Sequence, residues 1–108
     1  MAVLALPVAA DARTGYCSPT GDYCTSVRDA RGGPLLRLGS FAFSGRYRIC
    51  VTPPRGSRTC RSFRLRRGRL FESTVRWSRH FPDRGKGVYR VRWLLGSTKL
   101  GPRLGFRR

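Results

Sequence analysis

The 108-residue chain has no Asn or Gln, one His, one Ile, one Glu and two Lys. A single histidine, His80, restricts general acid–base chemistry at neutral pH. A serine triad would need it beside a buried acid and an activated Ser, yet no G-x-S-x-G elbow occurs. Beyond Asp11, the acids are Asp22, Asp29, Glu72 and Asp83. Three of these four fall in expected turns or strand ends, which leaves no convincing pair of carboxylates for glycoside hydrolysis. The Gly-rich segments Arg31-Gly32-Gly33-Pro34 and Arg84-Gly85-Lys86-Gly87 match neither a P-loop nor a dinucleotide fingerprint and read as turns. No internal repeat, heptad or low-complexity linker divides the chain. These absences point away from an enzyme, and from any cofactor, metal or small-molecule substrate.

What the chain has in excess is arginine. Against 5 acids stand 23 Lys and Arg, for a net charge of +18. A field of that size attracts polyanions and opposes self-association. A GC-rich coding sequence tends toward the same Arg, Gly and Leu profile, so composition leaves open whether the charge has a function. With 40% hydrophobic and 26% charged residues the chain has the balance of a folded domain. Its length suits one domain with a modest core.

Residues 1–12, MAVLALPVAADA, contain an uncharged apolar run followed by Ala10-Asp11-Ala12, an A-x-A pattern suited to signal peptidase. No positive residue precedes the run, so the leader is read as one with a truncated start. Residues 13–108 would form the mature domain. A buried first strand is the competing reading, although Pro7 interrupts it. No other stretch approaches the ~20 apolar residues that span a bilayer, so no retained membrane span is expected. Four cysteines, Cys17, Cys24, Cys50 and Cys60, are then expected to form two disulfides. Three connectivities exist. Local pairing, Cys17 with Cys24 and Cys50 with Cys60, is favoured because each pair brackets turn-forming Pro and Gly. A four-thiolate zinc site competes, but no C-x-x-C knuckle is present. A secreted or extracytoplasmic location follows.

Short alternating runs broken by Gly and Pro predict an all-β domain with seven strands, at residues 23–27, 35–43, 46–52, 58–65, 70–77, 88–94 and 100–106. No segment has helical periodicity. The clearest hairpin spans residues 46–65 around Pro53-Pro54-Arg55-Gly56. If Cys50 faces Cys60, the period of two puts Tyr47, Ile49, Val51, Phe63 and Leu65 on one face. Arg46, Arg48, Ser62, Arg64 and the disulfide take the other. In Val88-Tyr-Arg-Val-Arg-Trp, likewise, Tyr89, Val91 and Trp93 point inward while Arg90 and Arg92 point outward. Arginine thus fills the outer phase of the strands, and the aromatics belong to the core rather than to exposed stacking platforms.

Residues 77–93, with the Gly-x-Tyr-x-Val-x-Trp strand after a Pro/Gly corner, and Leu100-Gly-Pro-Arg-Leu-Gly-Phe together resemble the final strands of bacterial immunoglobulin-like and fibronectin-like domains. Over about 90 residues the chain is similar to small secreted immunoglobulin-like β-sandwich proteins of high-GC bacteria. That resemblance implies a β-sandwich and carries no chemistry. The same strand resembles periplasmic copper carriers of this fold, but the matching stretch Leu94-Leu95-Gly96-Ser97 lacks their His, and Arg13 stands where an N-terminal His would.

Two functions follow as expectations. The first is a non-enzymatic exported domain with a structural or protein-interaction role, its partner an envelope polymer or another protein. The second is an arginine-rich polyanion binder for anionic glycan, lipid or nucleic-acid backbone, using Arg46, Arg48, Arg64, Arg66, Arg90 and Arg92. A third, membrane disruption, would require Trp77 or Trp93 at the surface.

Overall fold

The β4–β5 hairpin forms as its alternation predicts. In the structure, a computed structural model that describes residues 13–108, Cys50 faces Cys60 and Tyr47 faces Phe63 across β4 (Gly45–Thr52) and β5 (Thr59–Arg67). Gly56, at φ 90°, supplies the left-handed residue of the connection. Both local disulfides, Cys17–Cys24 and Cys50–Cys60, are present. The expected leader at residues 1–12 lies outside the described residues.

The domain is all-β, with eight strands where the alternation predicted seven. The others are β1 (Gly15–Cys17), β2 (Tyr23–Arg28), β3 (Leu35–Ser40), β6 (Phe71–Arg76), β7 (Val88–Leu95) and β8 (Thr98–Arg107). Their order is β1-β2-β3-β6-β5-β4-β7-β8, every neighbouring pair antiparallel. The sheet rolls until its ends approach. The Gly105 N–H donates to the Arg13 carbonyl at 2.9 Å, giving an outline close to a barrel. Within that roll the strands fall into two four-stranded halves, β1-β2-β3-β6 and β5-β4-β7-β8. Strand pairing joins them where Arg66 and Arg67 pair with Glu72 and Phe71, and the Gly105–Arg13 bond joins their far ends.

The core lies between the halves. Val27, Leu36, Leu38 and Val75 face Tyr47, Ile49, Val51, Leu65, Tyr89, Val91, Trp93, Leu100, Leu104 and Phe106 across it. Burying each large apolar side chain stabilises by roughly 1.5–3 kcal/mol. Tyr89 stacks on Phe106 at 5.0 Å, and Trp77 meets both rings edge-on. The Tyr47 hydroxyl crosses between the halves to donate to Ser73 Oγ at 2.7 Å. Burial pushes its pKa up to about 12, so it remains a donor at any ordinary pH.

Three expectations are corrected. Residues 70–77 do not run as one strand: β6 ends at Arg76, and Trp77–His80 form a single helical turn, α1. The turn lets the Trp77 ring enter the core. It closes with the Phe81 N–H donating to the Trp77 carbonyl at 3.0 Å, and Pro82 forces Phe81 into extended geometry. Residues 35–43 stop pairing at Ser40, whose Oγ accepts the N–H groups of Ala42 and Phe43 and bends the chain away. The additional strand, β1, has three residues and is fastened to β2 through Cys17–Cys24.

Before β7, the chain is held by a buried tyrosine. Tyr89 Oη donates to the Gly85 carbonyl at 2.7 Å and accepts the Arg84 N–H at 2.8 Å, with Asp83 Oδ1 at 3.2 Å. Asp83 in turn accepts from Arg108 Nε at 2.6 Å and from the Gly85 N–H at 2.9 Å. The Arg108 bond, and after it the Gly85 N–H, holds that carboxyl below its ordinary range. Tyr89→Phe keeps the stacked ring and strands the two backbone groups. The expected cost is about 2 kcal/mol in denaturant unfolding at unchanged m-value. A loss below about 0.5 kcal/mol would show that the corner does not depend on the hydroxyl.

Candidate polyanion-binding face

The register brings the sequence-predicted arginines together. Cross-strand partners share a face, and Arg46 lies opposite Arg64, Arg48 opposite Ser62, Cys50 opposite both Cys60 and Arg92, and Thr52 opposite Arg90. Arg46, Arg48, Arg64, Arg90 and Arg92 therefore cover the outside of the β5-β4-β7-β8 half. Arg66 continues the same phase to its rim, opposite Glu72.

Three further cations join them. Lys99 lies opposite Leu94 on the outer phase of β8. Arg58 and Arg103 border, with Arg92, Lys99, Cys50, Thr52 and Leu94, a depression of about 320 Å³ beside the Cys50–Cys60 disulfide. Alternation from inward Leu104 could have placed Arg103. The shift of pairing between Val91 and Trp93 interrupts the phase near it, so strand neighbours are needed to put it beside Arg92. Lys99 was legible only once the β7–β8 hairpin was fixed.

Nine cations thus occupy one face, and strands β4, β5, β7 and β8 contain no Asp or Glu. The outside of the β1-β2-β3-β6 half carries Arg28, Arg37 and Arg76 with Glu72. Arg107, at the end of β8, borders a separate depression with Arg28 and Asp29. Arg46, Arg48, Arg58, Arg64, Arg66, Lys99 and Arg103 are exposed, and no ion pair among the described residues holds them. Arg92 is half-buried and makes only a long contact, 3.4 Å, to the Gly101 carbonyl. Burial, and then the charge of Arg103, lower its pKa.

Elsewhere arginine builds the fold. Arg55 donates to the Arg84 and Lys86 carbonyls at 2.6 and 3.0 Å, tying the β4–β5 turn to the loop before β7. Arg76 donates to the Arg31 carbonyl at 2.6 Å. The contrast separates bracing arginines, satisfied by backbone carbonyls, from the seven exposed cations of the face named above, which are available to an external anion.

Compared with protein-family models, curated proteins and solved structures, the chain matches none. The face must be read from its own chemistry. A guanidinium presents two parallel N–H donors that match a phosphate or sulfate edge. Strands about 4.8 Å apart set these donors in rows. Aromatic platforms are absent from the face. Trp77 and Trp93 are buried at 2% and 0% exposure, which counts against membrane disruption through either ring. Phe41 is the exposed large apolar side chain among the described residues, and it lies just past β3 in the other half. His80 stands at the end of α1, its ring 5.1 Å from that of Phe63. The described residues bring no three metal-ligating side chains together.

Proposed function

We propose that the chain is an exported, non-enzymatic, immunoglobulin-like β-sandwich domain whose β5-β4-β7-β8 face binds phosphate- or sulfate-bearing polymers through their backbones. The observation that carries this reading is the gathering of nine cations on the outside of four strands that contain no acid, with Glu72 of β6 meeting them only at the rim, while the outside of the other half carries three arginines with that glutamate. Charge fixed by composition alone would be spread over both.

Two features support the sandwich. Strand pairing between the β1-β2-β3-β6 and β5-β4-β7-β8 groups is limited to two residue pairs between β5 and β6, and Tyr89 bonds backbone a few residues upstream at the start of β7, as the corner tyrosine of such domains does. Export is supported by the two disulfides, which suit an oxidising compartment, and by the apolar leader with its A-x-A site. No helix among the described residues is long and apolar enough to cross a membrane.

Binding of this kind is driven by counterion release, reads no base sequence, and weakens steeply with salt. A salt titration of the protein on heparin, duplex DNA and anionic vesicles, beside a control protein of equal net charge, tests it. The expected result is tighter binding than the control to at least one polymer at physiological salt, insensitive to DNA sequence. Parity with the control on all three surfaces defeats the proposal, and the preferred surface identifies the source of the anion.

A further inference from the structure

A cleft opens at the rim of the cationic face, where β5 and β6 part. After Arg66 and Arg67 pair with Glu72 and Phe71, the two strands diverge. Thr59–Leu65 then pair only with β4, and Ser73–Arg76 only with β3. In an antiparallel ladder alternate residues turn their N–H and C=O groups away from the partner strand, so both strands present open edges. Between them is a space of about 580 Å³, bordered on β5 by Phe63, Arg64 and Arg66 and across it by Val75 and His80, with Glu72, opposite Arg66, as its single acid.

Three features define an occupant. An open edge offers main-chain hydrogen bonds to an added strand. Half-buried Phe63, beside His80 and with Phe81 at 6.2 Å, gives an apolar seat for alternate side chains of such a strand. Charge selects among strands: β5 carries exposed Arg61, Arg64, Arg66 and Arg67 and no acid. A second copy of this chain would bring the same four arginines against them, and like charges along an edge prevent pairing. An acidic strand neutralises them.

We infer that the open edge of β5 accepts an extended acidic segment of a partner protein as an added strand, alternating acidic with apolar residues. Arg64 and Arg66 belong to the cationic face as well, but the inference does not depend on polymer binding there, because it rests on main-chain hydrogen bonds along the open edge of β5.

The probe is a capped heptapeptide of alternating Glu and Val. Its control is the same peptide N-methylated at alternate residues, in each of the two phases, which keeps the charge and removes edge donors. The expected result is binding of the parent peptide with at least tenfold slower amide exchange within Thr59–Leu65, and at least tenfold weaker binding of one methylated form. Arg61→Glu with Arg67→Glu, both at exposed sites, should weaken the parent at least tenfold without altering the melting temperature of the free protein. Equal binding of parent and both methylated peptides would reduce the contact to charge alone and overturn the proposal. So would absence of binding, perturbation confined to Arg46, Arg92 and their neighbours, or a dimer of the free protein paired through β5.

Discussion

Replacing Arg46, Arg48, Arg64 and Arg103 together by Ser is expected to weaken binding to duplex DNA about 10³-fold at about 0.15 M salt. Each phosphate contact contributes about 0.9 to the slope of log K against log salt. At that concentration one contact corresponds to about a fivefold change, and four multiply to about three decades. The slope itself should become shallower by about 3.5. All four side chains are exposed, and the described hydrogen bonds and ion pairs assign them no partner. Removing them should therefore leave stability within about 0.5 kcal/mol, the usual range for surface substitutions. The comparison set is Arg31, Arg69, Arg79 and Lys86 replaced by Ser, which removes the same charge from exposed loop and turn positions. If the face binds as a unit, the comparison set loses much less affinity. Equal losses from the two sets would mean that net charge attracts the polymer wherever it sits, and the face would have no claim as a site.

That comparison matters because the arginines perform two kinds of work that composition cannot separate. Arg55 and Arg76 satisfy backbone carbonyls between loops distant in sequence. Nothing in a local pattern marks them, since Arg55 sits in a turn and Arg76 at a strand end like many others here. Arg46, Arg48, Arg64, Arg90 and Arg92 were legible, because each alternates with a residue whose burial fixes its phase. The hairpin register was legible for a related reason: a ten-residue separation between Cys50 and Cys60, with prolines and glycine between, permits few alignments.

What could not be read was which strands neighbour one another. β6 returns to pair with β3 across an intervening hairpin, and β7 then pairs with β4. These non-local choices put Arg92 beside Cys50 and gather the cations of four strands on one side. The three residues of β1 offer too short a run for alternation to register. α1 escaped because one helical turn has no periodicity, and Trp77 reads equally well as the last inward residue of a strand. The cleft between β5 and β6 was invisible in the same way, since a strand's free edge depends on what fails to pair with it.

Loss of both disulfides is expected to cost about 5 kcal/mol. The closed loops are short, with sequence separations of 7 and 10, and chain-entropy estimates give about 2.4 and 2.7 kcal/mol respectively. A single domain of this size has a stability of ~5–15 kcal/mol in all. A charge of +18 also repels itself in the compact state. Each bond has a distinct place in the fold. Cys50–Cys60 holds β4 to β5 beneath the cationic face. Cys17–Cys24 fixes β1, whose Tyr16 ring covers Gly101 so closely that an added Cβ there would lie 2.5 Å from it. Cys50→Ser with Cys60→Ser is therefore expected to lower the melting temperature by ~10–20 °C, and to weaken polymer binding through partial unfolding. Cys17→Ser with Cys24→Ser should be nearly as destabilising, yet saturating polymer should restore its melting temperature, because a ligand bound to the native state adds stability by mass action. Calorimetric melts of the two double variants, with and without heparin, measure both effects. If the fully reduced protein melted within about 3 °C of the oxidised one, the stability would reside in the aromatic core between the halves, and the tie between oxidising compartment and fold would fall.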